Sequence, residues 1–556
     1  MTGSRVYGID LGTTYSCIAH VDEASGRPLI TPNVEGELTT PSVVLFEDAE
    51  TRVVGREAKN SAVLDSDRVI EMVKRQMGQP EWRREFFGRQ YSPEEVSSYI
   101  LRKIVDDAER HDGVRPQKVV ITCPAYFGVT QREATATAGR IAGLDVLEII
   151  NEPTAAAIAY GTQDTADQVV LVYDLGGGTF DVTVIDIKDG TIRVVATDGD
   201  DELGGRDWDE QIVMFLATEW NDEHPEAETD PMDSPETVQE LWTRAESAKR
   251  TLSGMAQARI PVIHEAKQTA VTLTREKFDD LTRSLLENTI TFTRKVMETA
   301  SELGTSKIDK ILLVGGSTKM PQVNTRLRKE FDIEIKTFEP DQAVAKGAAI
   351  YGQKLAIGER IRIQLSKRLD TTPEQVDIAT APVKVREVVE EVVASEMGLR
   401  LDTVQKLTEM VVKNVISHSF GVEAQLSDNT PVISNLVLAQ QVLPAEARAT
   451  YGTLRAGMSS VELRIYENTA RDKIVKELDA GEQVGSAILE LTPGLPANSP
   501  IEVTFRFDGE GRLHVTGKDK SMGGKAVTAL IETNRALTAE ETEDAIEHAR
   551  TIRVIG

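Results

Sequence analysis

Residues 173–181 of the sequence read Tyr173-Asp174-Leu175-Gly176-Gly177-Gly178-Thr179-Phe180-Asp181, and an apolar run from Val169 to Tyr173 leads into the glycines. The apolar run predicts a buried strand that ends at Asp174. Three successive glycines let the backbone approach a ligand closely, and the N–H groups of such a turn can bind phosphate oxygens. Asp174 and Asp181 place negative charge on both sides of the loop. This charge predicts a bound cation, and Mg²⁺ is the usual one beside phosphates.

The same arrangement occurs near the N-terminus, in the run Val6-Tyr7-Gly8-Ile9-Asp10-Leu11-Gly12-Thr13-Thr14-Tyr15-Ser16. Taken alone, three glycines are as well explained by an ordinary tight turn. Two copies of a strand followed by aspartate, glycine and hydroxyl residues instead predict two lobes that close on one nucleotide. The sequence has no Gly-x-x-x-x-Gly-Lys-Ser/Thr run, which disfavours a P-loop site, and it lacks the dinucleotide fingerprint Gly-x-Gly-x-x-Gly after a strand.

The chain has 556 residues, two cysteines, 40% apolar residues and a formal charge of −27. This length predicts three or four domains, and no apolar run approaches the roughly 18 residues of a transmembrane helix. The first strand begins too early for a signal peptide, so we expect a cytoplasmic protein with Cys17 and Cys123 as buried free thiols. The negative charge disfavours nucleic acid and anionic membranes as partners and is compatible with basic, unfolded polypeptides.

Strands and helices alternate in residues 1 to about 160, and the pattern repeats from Val169. Apolar spacing predicts a helix over Ser66–Met77 that carries Lys74. Another helix begins at Glu152, whose carboxylate either complements the helix dipole or points into a site. The turn that ends Ile311–Thr318 predicts a third ligand loop, for a nucleoside. A further helix carries four polar residues on one face, for which spacing alone favours a solvent-exposed surface: Glu246, Lys249, Arg250 and Ser253.

The sequence changes character after Gly358. Glycines become rare from Ile361 to about Met410, and valines at helical spacing predict an amphipathic helix over Val385–Met397. From about Val415 the alternation of apolar and polar residues predicts strands with one buried face, and therefore a β-sandwich. Residues 507–513 predict a hairpin turn in this sandwich, and a final helix is predicted to start at residue 538.

Five motifs, in the same order, resemble those of the Hsp70 chaperones, whose ATPase half has the actin/hexokinase fold. The motifs are Gly8–Ser16, Ile150–Ala157, Asp174–Asp181, Val314–Thr318 and Pro340–Ala345. The resemblance covers nearly all of residues 5–355. It implies a multidomain protein in which a two-lobed α/β ATPase of the actin/hexokinase type is followed by a short helical insertion and a β-sandwich domain.

The resemblance also implies roles for individual residues. Asp10, Asp174 and Asp181 would orient Mg²⁺ and its waters, Lys74 would reach the γ-phosphate and the attacking water, and Glu152 would orient that water. These five residues and Thr179 would form the catalytic set. The phosphate loops would be Gly12, Thr13, Thr14, Tyr15, Gly177, Gly178 and Thr179. The nucleoside would contact Glu246, Lys249, Arg250, Ser253, Gly315, Gly316, Ser317, Lys319 and Asp341. Lys319 stands where the family usually has arginine, so a planar stacking contact on adenine is weakened. The implied cofactors are ATP or ADP and Mg²⁺, with K⁺ as a further candidate.

The sequence departs from the family in several places. Residues Ile361–Met410 are inserted before the interdomain linker. Glu148 replaces an arginine and Asn414 replaces the acid that ends the linker. In the family, J-domain co-chaperones engage both positions, so we expect weakened coupling to J-domains. The lobe around Gln79–Tyr91 is shortened, and we expect the helical lid to be almost wholly absent after Glu547.

Residues 415–535 match the family more weakly but resemble its substrate-binding β-domain. The resemblance implies a cleft in which an extended peptide adds its backbone to the sandwich. The residues that would line this cleft are Val422, Ala424, Gln425, Tyr451, Leu454 and Val461.

The sequence therefore predicts an ATP-driven, Hsp70-like chaperone in four parts. These are an ATPase domain (1–358), a helical insertion and linker (359–414), a β-sandwich substrate-binding domain (415–535) and a short C-terminal helix that is a lid remnant (536–556). Its partners would be unfolded or extended polypeptides, together with J-domain and nucleotide-exchange co-chaperones. The alternative is an ATP-gated regulator or exchange factor without refolding activity, which the same fold permits. A sugar kinase on this fold is disfavoured by the β-rich C-terminal domain.

Overall fold

The computed structural model describes residues 5–164, 166–509, 511–521, 526–530 and 537–556. The predicted domain boundary at residues 535 and 536, and Glu510 in the predicted hairpin turn, lie outside these ranges. Within them, the structure confirms a multidomain α/β fold with separate helical and β-rich regions. None of the helices in the described ranges combines the length and the apolar character that a membrane span requires.

The first lobe, residues 5–164, is built around a sheet that carries the first glycine motif. Its elements are β1 Val6–Asp10, β2 Tyr15–Val21, β3 Pro28–Thr31, β4 Thr40–Pro41, β5 Val44–Phe46, β6 Thr51–Val54, α1 Arg56–Ser61, β7 Val69–Ile70, β8 Arg84–Phe86, β9 Arg89–Tyr91, α2 Pro93–Asp112, β10 Lys118–Cys123, α3 Val129–Ile141, β11 Asp145–Asn151 and α4 Glu152–Gln163. The main sheet has the order β11–β10–β1–β2–β3, with β4 paired to β2, and β6, β5 and β7 form a smaller sheet. In the main sheet, β1 pairs in parallel with β10 and antiparallel with β2, so Asp10 lies opposite Cys17.

The second lobe, residues 166–369, repeats this arrangement around the second glycine motif. Its elements are β12 Gln168–Leu175, β13 Phe180–Lys188, β14 Thr191–Asp200, α5 Gly205–Glu223, α6 Pro235–Gly254, β15 Gln257–His264, β16 Lys267–Thr274, α7 Arg275–Leu281, α8 Arg283–Glu302, β17 Lys310–Val314, α9 Pro321–Glu330, β18 Glu334–Thr337 and α10 Ala343–Leu369. Strand β12 pairs in parallel with β17 and antiparallel with β13, so Asp174 lies opposite Asp181. Each glycine motif therefore joins the two strands of an antiparallel hairpin.

Helices α4 and α10 cross where both have small side chains. If Gly347 of α10 carried a side chain, its Cβ would lie only 1.7 Å from the carbonyl oxygen of Ala155 in α4, so only glycine fits there. The 27 residues of α10 continue without a break past residue 358, so the predicted ATPase boundary falls inside this helix.

The inserted residues pack on the second lobe. They form α11 Val383–Met397 and α12 Leu401–Glu409, followed by β19 Val411–Lys413. Val389 and Val393 of α11 and Leu407 of α12 share one apolar core with α10 and with strands of the second lobe. Strand β19 joins the edge of the second-lobe sheet, parallel to β14. The valine spacing thus predicted α11 correctly.

The β-rich region forms two facing sheets. Its strands are β20 Ser419–Gln425, β21 Pro431–Val437, β22 Ala445–Gly452, β23 Ser460–Asn468, β24 Ile474–Val475, β25 Gly481–Glu490, β26 Pro500–Phe507, β27 Leu513–Asp519 and β28 Ala526–Leu530. One sheet has the order β24–β21–β20–β23–β25 and the other β22–β26–β27–β28. Apolar residues from both, such as Phe420 and Phe505, form one core between them. After the sandwich, the chain ends with α13 Ala539–Thr551, capped by Thr538, and β29 Arg553–Ile555.

The predicted helix over Ser66–Met77 is wrong. The structure has the strand β7 there, followed by a 3-10 helix over Val73–Gln76 that carries Lys74. Between them, Met72 adopts a left-handed conformation with φ of 59°, which interrupts any continuous helix. The apolar residues that suggested the helix, Ile70 and Met77 among them, are buried all the same. The short strand and the 3-10 turn bury the same apolar residues that a helix would have buried.

Candidate active site

The two glycine loops face each other across the cleft between the lobes. A Cβ on Gly177 would lie 2.2 Å from the Thr14 hydroxyl oxygen, and a Cβ on Gly178 would lie 2.4 Å from a side-chain carbon of Thr13. The loops can meet only because these positions carry no side chain. Together they border a cavity of about 720 Å³ between the lobes. Most of the predicted nucleotide residues line this cavity: Asp10, Gly12, Thr13, Thr14, Tyr15, Lys74, Glu152, Asp174, Gly177, Thr179, Glu246, Lys249, Arg250, Ser253, Gly315, Gly316, Ser317, Lys319 and Asp341.

Two predicted residues lie behind the cavity wall. Asp181 is 1% exposed and accepts a hydrogen bond from the backbone N–H of Tyr126 at 3.2 Å. Gly178 supports the loop by its close approach to Thr13, and its carbonyl oxygen accepts a hydrogen bond from Arg75 Nε at 2.9 Å. Asp181 and Gly178 therefore contact residues around the cavity without lining it themselves.

Buried carboxylates surround a single buried ammonium group at the base of the cavity. Lys74, 3% exposed, donates to Glu152 Oε1 at 2.5 Å. Burial, followed by the charge of Glu152, raises the pKa of Asp10 to about 7 and that of Asp181 to about 8, and it raises the pKa of Asp174 well above its usual range. Burial alone would lower the pKa of Lys74, but the charges of Glu152 and Asp10 raise it. Four acidic groups thus face one ammonium group, and the raised pKa values mean that they ionise fully only when a further positive charge offsets their negative charge.

A divalent cation suits this surplus of negative charge. Among the residues that the structure describes, no three His, Cys, Asp or Glu side chains are close enough to bind an ion directly. The carboxylates therefore fit an ion that keeps several of its water ligands and takes others from a nucleotide, as Mg²⁺ characteristically does.

Helix α6 carries four of the predicted nucleoside residues, and the three charged ones, Glu246, Lys249 and Arg250, are paired in the structure. Arg250 donates to Glu246 at 2.7 Å and to the Tyr15 hydroxyl at 2.6 Å. Lys249 donates to Asp209 at 2.7 Å and to the carbonyl oxygen of Gly205 at 2.6 Å. The face is thus polar but largely neutralised, which suits an uncharged nucleoside better than a free phosphate.

The third loop closes the cavity from the second lobe. Gly315 has φ of 82°, and a Cβ there would lie 2.4 Å from the carbonyl oxygen of Leu175. Ser317 donates to the carbonyl oxygen of Gly176 at 2.8 Å, which ties this loop to the second glycine loop. Lys319 forms an ion pair with Asp341.

Lys59 was not predicted, although it lines the cavity. From α1 it forms an ion pair with Glu246 across the cleft and also donates to the Tyr15 hydroxyl at 3.0 Å. A second bridge joins Arg75 of the first lobe to Asp207 of the second at 2.7 Å. Nothing in the local pattern around Lys59 distinguishes it from a surface lysine.

The predicted peptide residues divide into two groups. Val422 is buried in the sandwich core, and Tyr451 and Val461 pack against that core. Tyr451 also donates its hydroxyl to Ser434 at 2.9 Å. In contrast, Gln425 is exposed and Leu454 is 59% exposed, while Ala424 is partly buried.

The two positions that departed from the family both have partners in the structure. The Glu148 carboxylate accepts from the Tyr351 hydroxyl at 3.0 Å. Asn414 Oδ1 accepts from the Thr154 hydroxyl at 3.3 Å.

The fold and the cleft define a nucleotide-binding protein with two related α/β lobes and an attached β-sandwich. A family model described as "Hsp70 protein" matches residues 6–394 and 390–554. The chain is also 36% identical over 560 residues to the "Chaperone protein DnaK" of Thermosipho melanesiensis, across 98% of this chain and 83% of that protein. The chain therefore belongs to the Hsp70 family of ATP-binding chaperones.

Proposed function

We propose that this chain binds ATP with Mg²⁺ between its lobes, hydrolyses it slowly to ADP and phosphate, and couples that reaction to the binding of extended, apolar peptide segments. The proposal retains the four-part division of the chain given above. The observation that carries it is the convergence of two glycine loops, one buried lysine and the carboxylates of Asp10, Glu152 and Asp174 on one interlobe cavity, with Asp181 directly behind its wall.

Each catalytic side chain has a task that follows from its place. The loop N–H groups and hydroxyls, including Thr179, bind the phosphates, and Asp10 and Asp174 on the cavity wall, with Asp181 behind it, would hold Mg²⁺. The ion supplies charge neutralisation at the phosphate oxygens. Lys74 stabilises the charge that develops as the terminal P–O bond breaks, and Glu152 orients the attacking water. Such a site works by positioning and electrostatics, since phosphoryl transfer needs little covalent chemistry from the protein.

Single-turnover phosphate release tests the catalytic assignment. Lys74→Ala should lower the rate by about a hundredfold, because removing charge stabilisation at such a site costs about 3 kcal/mol. Lys118→Ala is the matched control, since Lys118 lies in the same lobe, does not line the cavity and pairs with the exposed Glu359. A Lys74→Ala rate equal to the parental rate would show that the assignment is wrong.

The proposed client site lies in the sandwich, where an extended peptide would add main-chain hydrogen bonds and place alternate side chains in pockets. Val461 would form the floor of the central pocket, and Val422, Ala424, Gln425, Tyr451 and Leu454 its surroundings. Contacts that run between the sandwich and both lobes support coupling. The Glu467 carboxylate accepts from the N–H of Val129 in the first lobe at 3.3 Å, and Gln440 exchanges two hydrogen bonds with the backbone of Thr197 in the second.

A regulator that uses ATP as a switch is the second candidate. It is favoured by α13, which lies on the first lobe, where Ala545 and Ala549 pack against Ile141. Refolding of a denatured client protein separates the two candidates, because only a chaperone should raise the refolded yield in an ATP-dependent manner. The Lys74→Ala variant provides the control for that dependence.

A further inference from the structure

The C-terminal residues extend a sheet of the first lobe. Strand β29 lies parallel to β6 and forms the outer strand of the sheet β29–β6–β5–β7, with Arg553 opposite Thr51 and Ile555 opposite Val53. The backbone N–H of Arg553 donates to the carbonyl oxygen of Glu50 at 2.8 Å. Such a sheet edge offers unpaired N–H and C=O groups to an extended chain.

The contacts around β29 depend on its sequence. Ile552 is 3% exposed and belongs to the main core of the first lobe, and Ile555 packs on a second cluster beneath the small sheet. Arg102 donates to the carbonyl oxygens of Ala549 and Ile552, the second at 2.9 Å. At Gly556 a Cβ would lie 2.2 Å from the carbonyl oxygen of Val54, so that position admits only glycine.

The sheet that receives β29 also leads to the nucleotide cleft. Strand β6 continues through Gly55 into α1, which carries Lys59, and β7 leads through Met72 to Lys74. Both lysines line the cavity between the lobes. An added strand therefore restrains the two segments from which these side chains project.

We propose that the edge of β6 is a strand-acceptor site, whose ligand is an extended segment with apolar residues and a glycine at the positions of Ile552, Ile555 and Gly556, and that residues 552–556 supply this ligand in this chain. The occupied site acts as a positioning element for Lys59 and Lys74. This second statement rests on the proposed ATPase function, whereas the strand-acceptor site does not.

His548 of α13 lies where the C-terminal segment contacts the first lobe. His548 Nε2 lies 3.3 Å from the Tyr91 hydroxyl. Burial, followed by the charges of Arg89 and Arg52, lowers the pKa of His548, and Asp544 on the same helix opposes them. The docked segment thus favours a neutral imidazole.

Peptide binding to the full chain tests the site. Arg553→Pro removes the N–H that bonds to Glu50, whereas Arg553→Ala keeps it and is the matched control. A fluorescent peptide of residues 545–556 should bind the Arg553→Pro protein at least about tenfold more tightly than the parental or Arg553→Ala protein, because the tethered strand fills the site at a high effective concentration. Ile552→Asp, which places a carboxylate in an apolar core, should free the site in the same way.

Three results would overturn the strand-acceptor site. They are equal peptide affinity in the parental and disrupted proteins, no binding by either disrupted variant, and displacement of the peptide by an unlabelled Leu-rich client peptide. Hydrogen exchange provides an independent measurement on the same variants. Backbone amides of residues 51–54 should exchange faster in Arg553→Pro and return to the parental rate when the peptide is added, and unchanged exchange would also overturn the site.

ATP affinity tests the positioning role. Arg553→Pro should bind ATP more weakly than the parental protein, and saturating peptide should restore the affinity. Unchanged affinity would refute the positioning role and leave the strand site intact. If the parental protein bound no ATP, the proposed ATPase function would fail, and the exchange and peptide measurements would still decide whether the strand site exists.

Discussion

Lys59 and Glu246 form an ion pair that joins the two lobes across the nucleotide cleft. Glu246 also accepts hydrogen bonds from Arg250 at 2.7 Å and from the Tyr15 hydroxyl at 3.2 Å. Burial alone would raise the pKa of Glu246, but Lys59, Arg250 and Lys249 together lower it to about 2 from its ordinary value of 4.5. We predict that removing Lys59 measurably weakens the attachment of one lobe to the other.

The size of the effect follows from this shift. Lowering a carboxyl pKa from 4.5 to about 2 corresponds to about 3 kcal/mol in favour of the ionised form. The two side chains are 25% and 23% exposed, so solvent screening and the other partners reduce the share of Lys59 to about 1–2 kcal/mol. Since the pKa is lowered in the folded protein, the stabilisation is present above pH 4.5 and is lost as the pH falls towards 2.

A double-mutant cycle measures this coupling. The four tryptophans, at positions 82, 208, 220 and 242, all lie in the two lobes, so their fluorescence follows unfolding of the lobes in urea without a signal from the sandwich. Lys59→Met and Glu246→Gln should each destabilise the nucleotide-free protein, and the double variant should lose about 1–2 kcal/mol less than the sum of the two.

The exposed pair Arg140–Glu133 in the first lobe is the matched control, and its cycle should give less than about 0.5 kcal/mol. A coupling between Lys59 and Glu246 as small as that of the control would refute the reasoning. It would mean that the lobes are not held together by this pair in solution.

Three further outcomes are expected. A J-domain should stimulate ATP hydrolysis poorly in the parental protein and better in Glu148→Arg with Asn414→Asp, because charge complementarity at the encounter is then restored; parental stimulation equal to that of an ordinary Hsp70 assayed in parallel would contradict this. Val461→Phe should weaken binding of a Leu-rich peptide by about tenfold or more in fluorescence anisotropy, since it overfills the proposed pocket, and unchanged affinity would place the site elsewhere. Lowering the pH below 6.5, the ordinary pKa of histidine, should lower the hydrogen-exchange protection factors of β6, which are corrected for the pH dependence of intrinsic exchange, because the docked segment favours neutral His548; His548→Gln should remove this decrease, and parental protection factors that do not change with pH would argue against it.

The nucleotide cleft could be predicted from the sequence because each of its loops is a local feature. A strand, an aspartate and glycines lie within a few consecutive residues around Asp10 and again around Asp174, and the fold brings the two loops together. Lys74 was assigned only by family resemblance, since the predicted helix around it is wrong. Lys59 escaped prediction because its partner Glu246 is 187 residues away and its own helix has only six residues.

The C-terminal contacts could not be predicted for a related reason. Strand β29 has three residues, too few for a periodic signal, and it pairs with a strand about five hundred positions earlier. Alternation of side chains describes a strand but does not specify which sheet edge will receive it. Helix α13 was predicted from its cap at Thr538, whereas its contact with the first lobe depends on surfaces that only the folded chain presents.

Helices α4 and α10 cross through small residues, so no long side chains of one helix interlock with those of the other. Helices that pack through long side chains must separate before they can turn, whereas Gly347 against Ala155 brings backbone directly onto backbone. Helix α4 begins at Glu152 on one side of the cleft, and α10 begins two residues after Asp341 on the other. A few degrees of rotation about this crossing would therefore open or narrow the cleft at both walls at once, with the pivot itself almost unmoved. Any larger residue at position 347 would press its Cβ against the carbonyl oxygen of Ala155, so the two helices would have to move apart and the junction between the lobes would be destabilised.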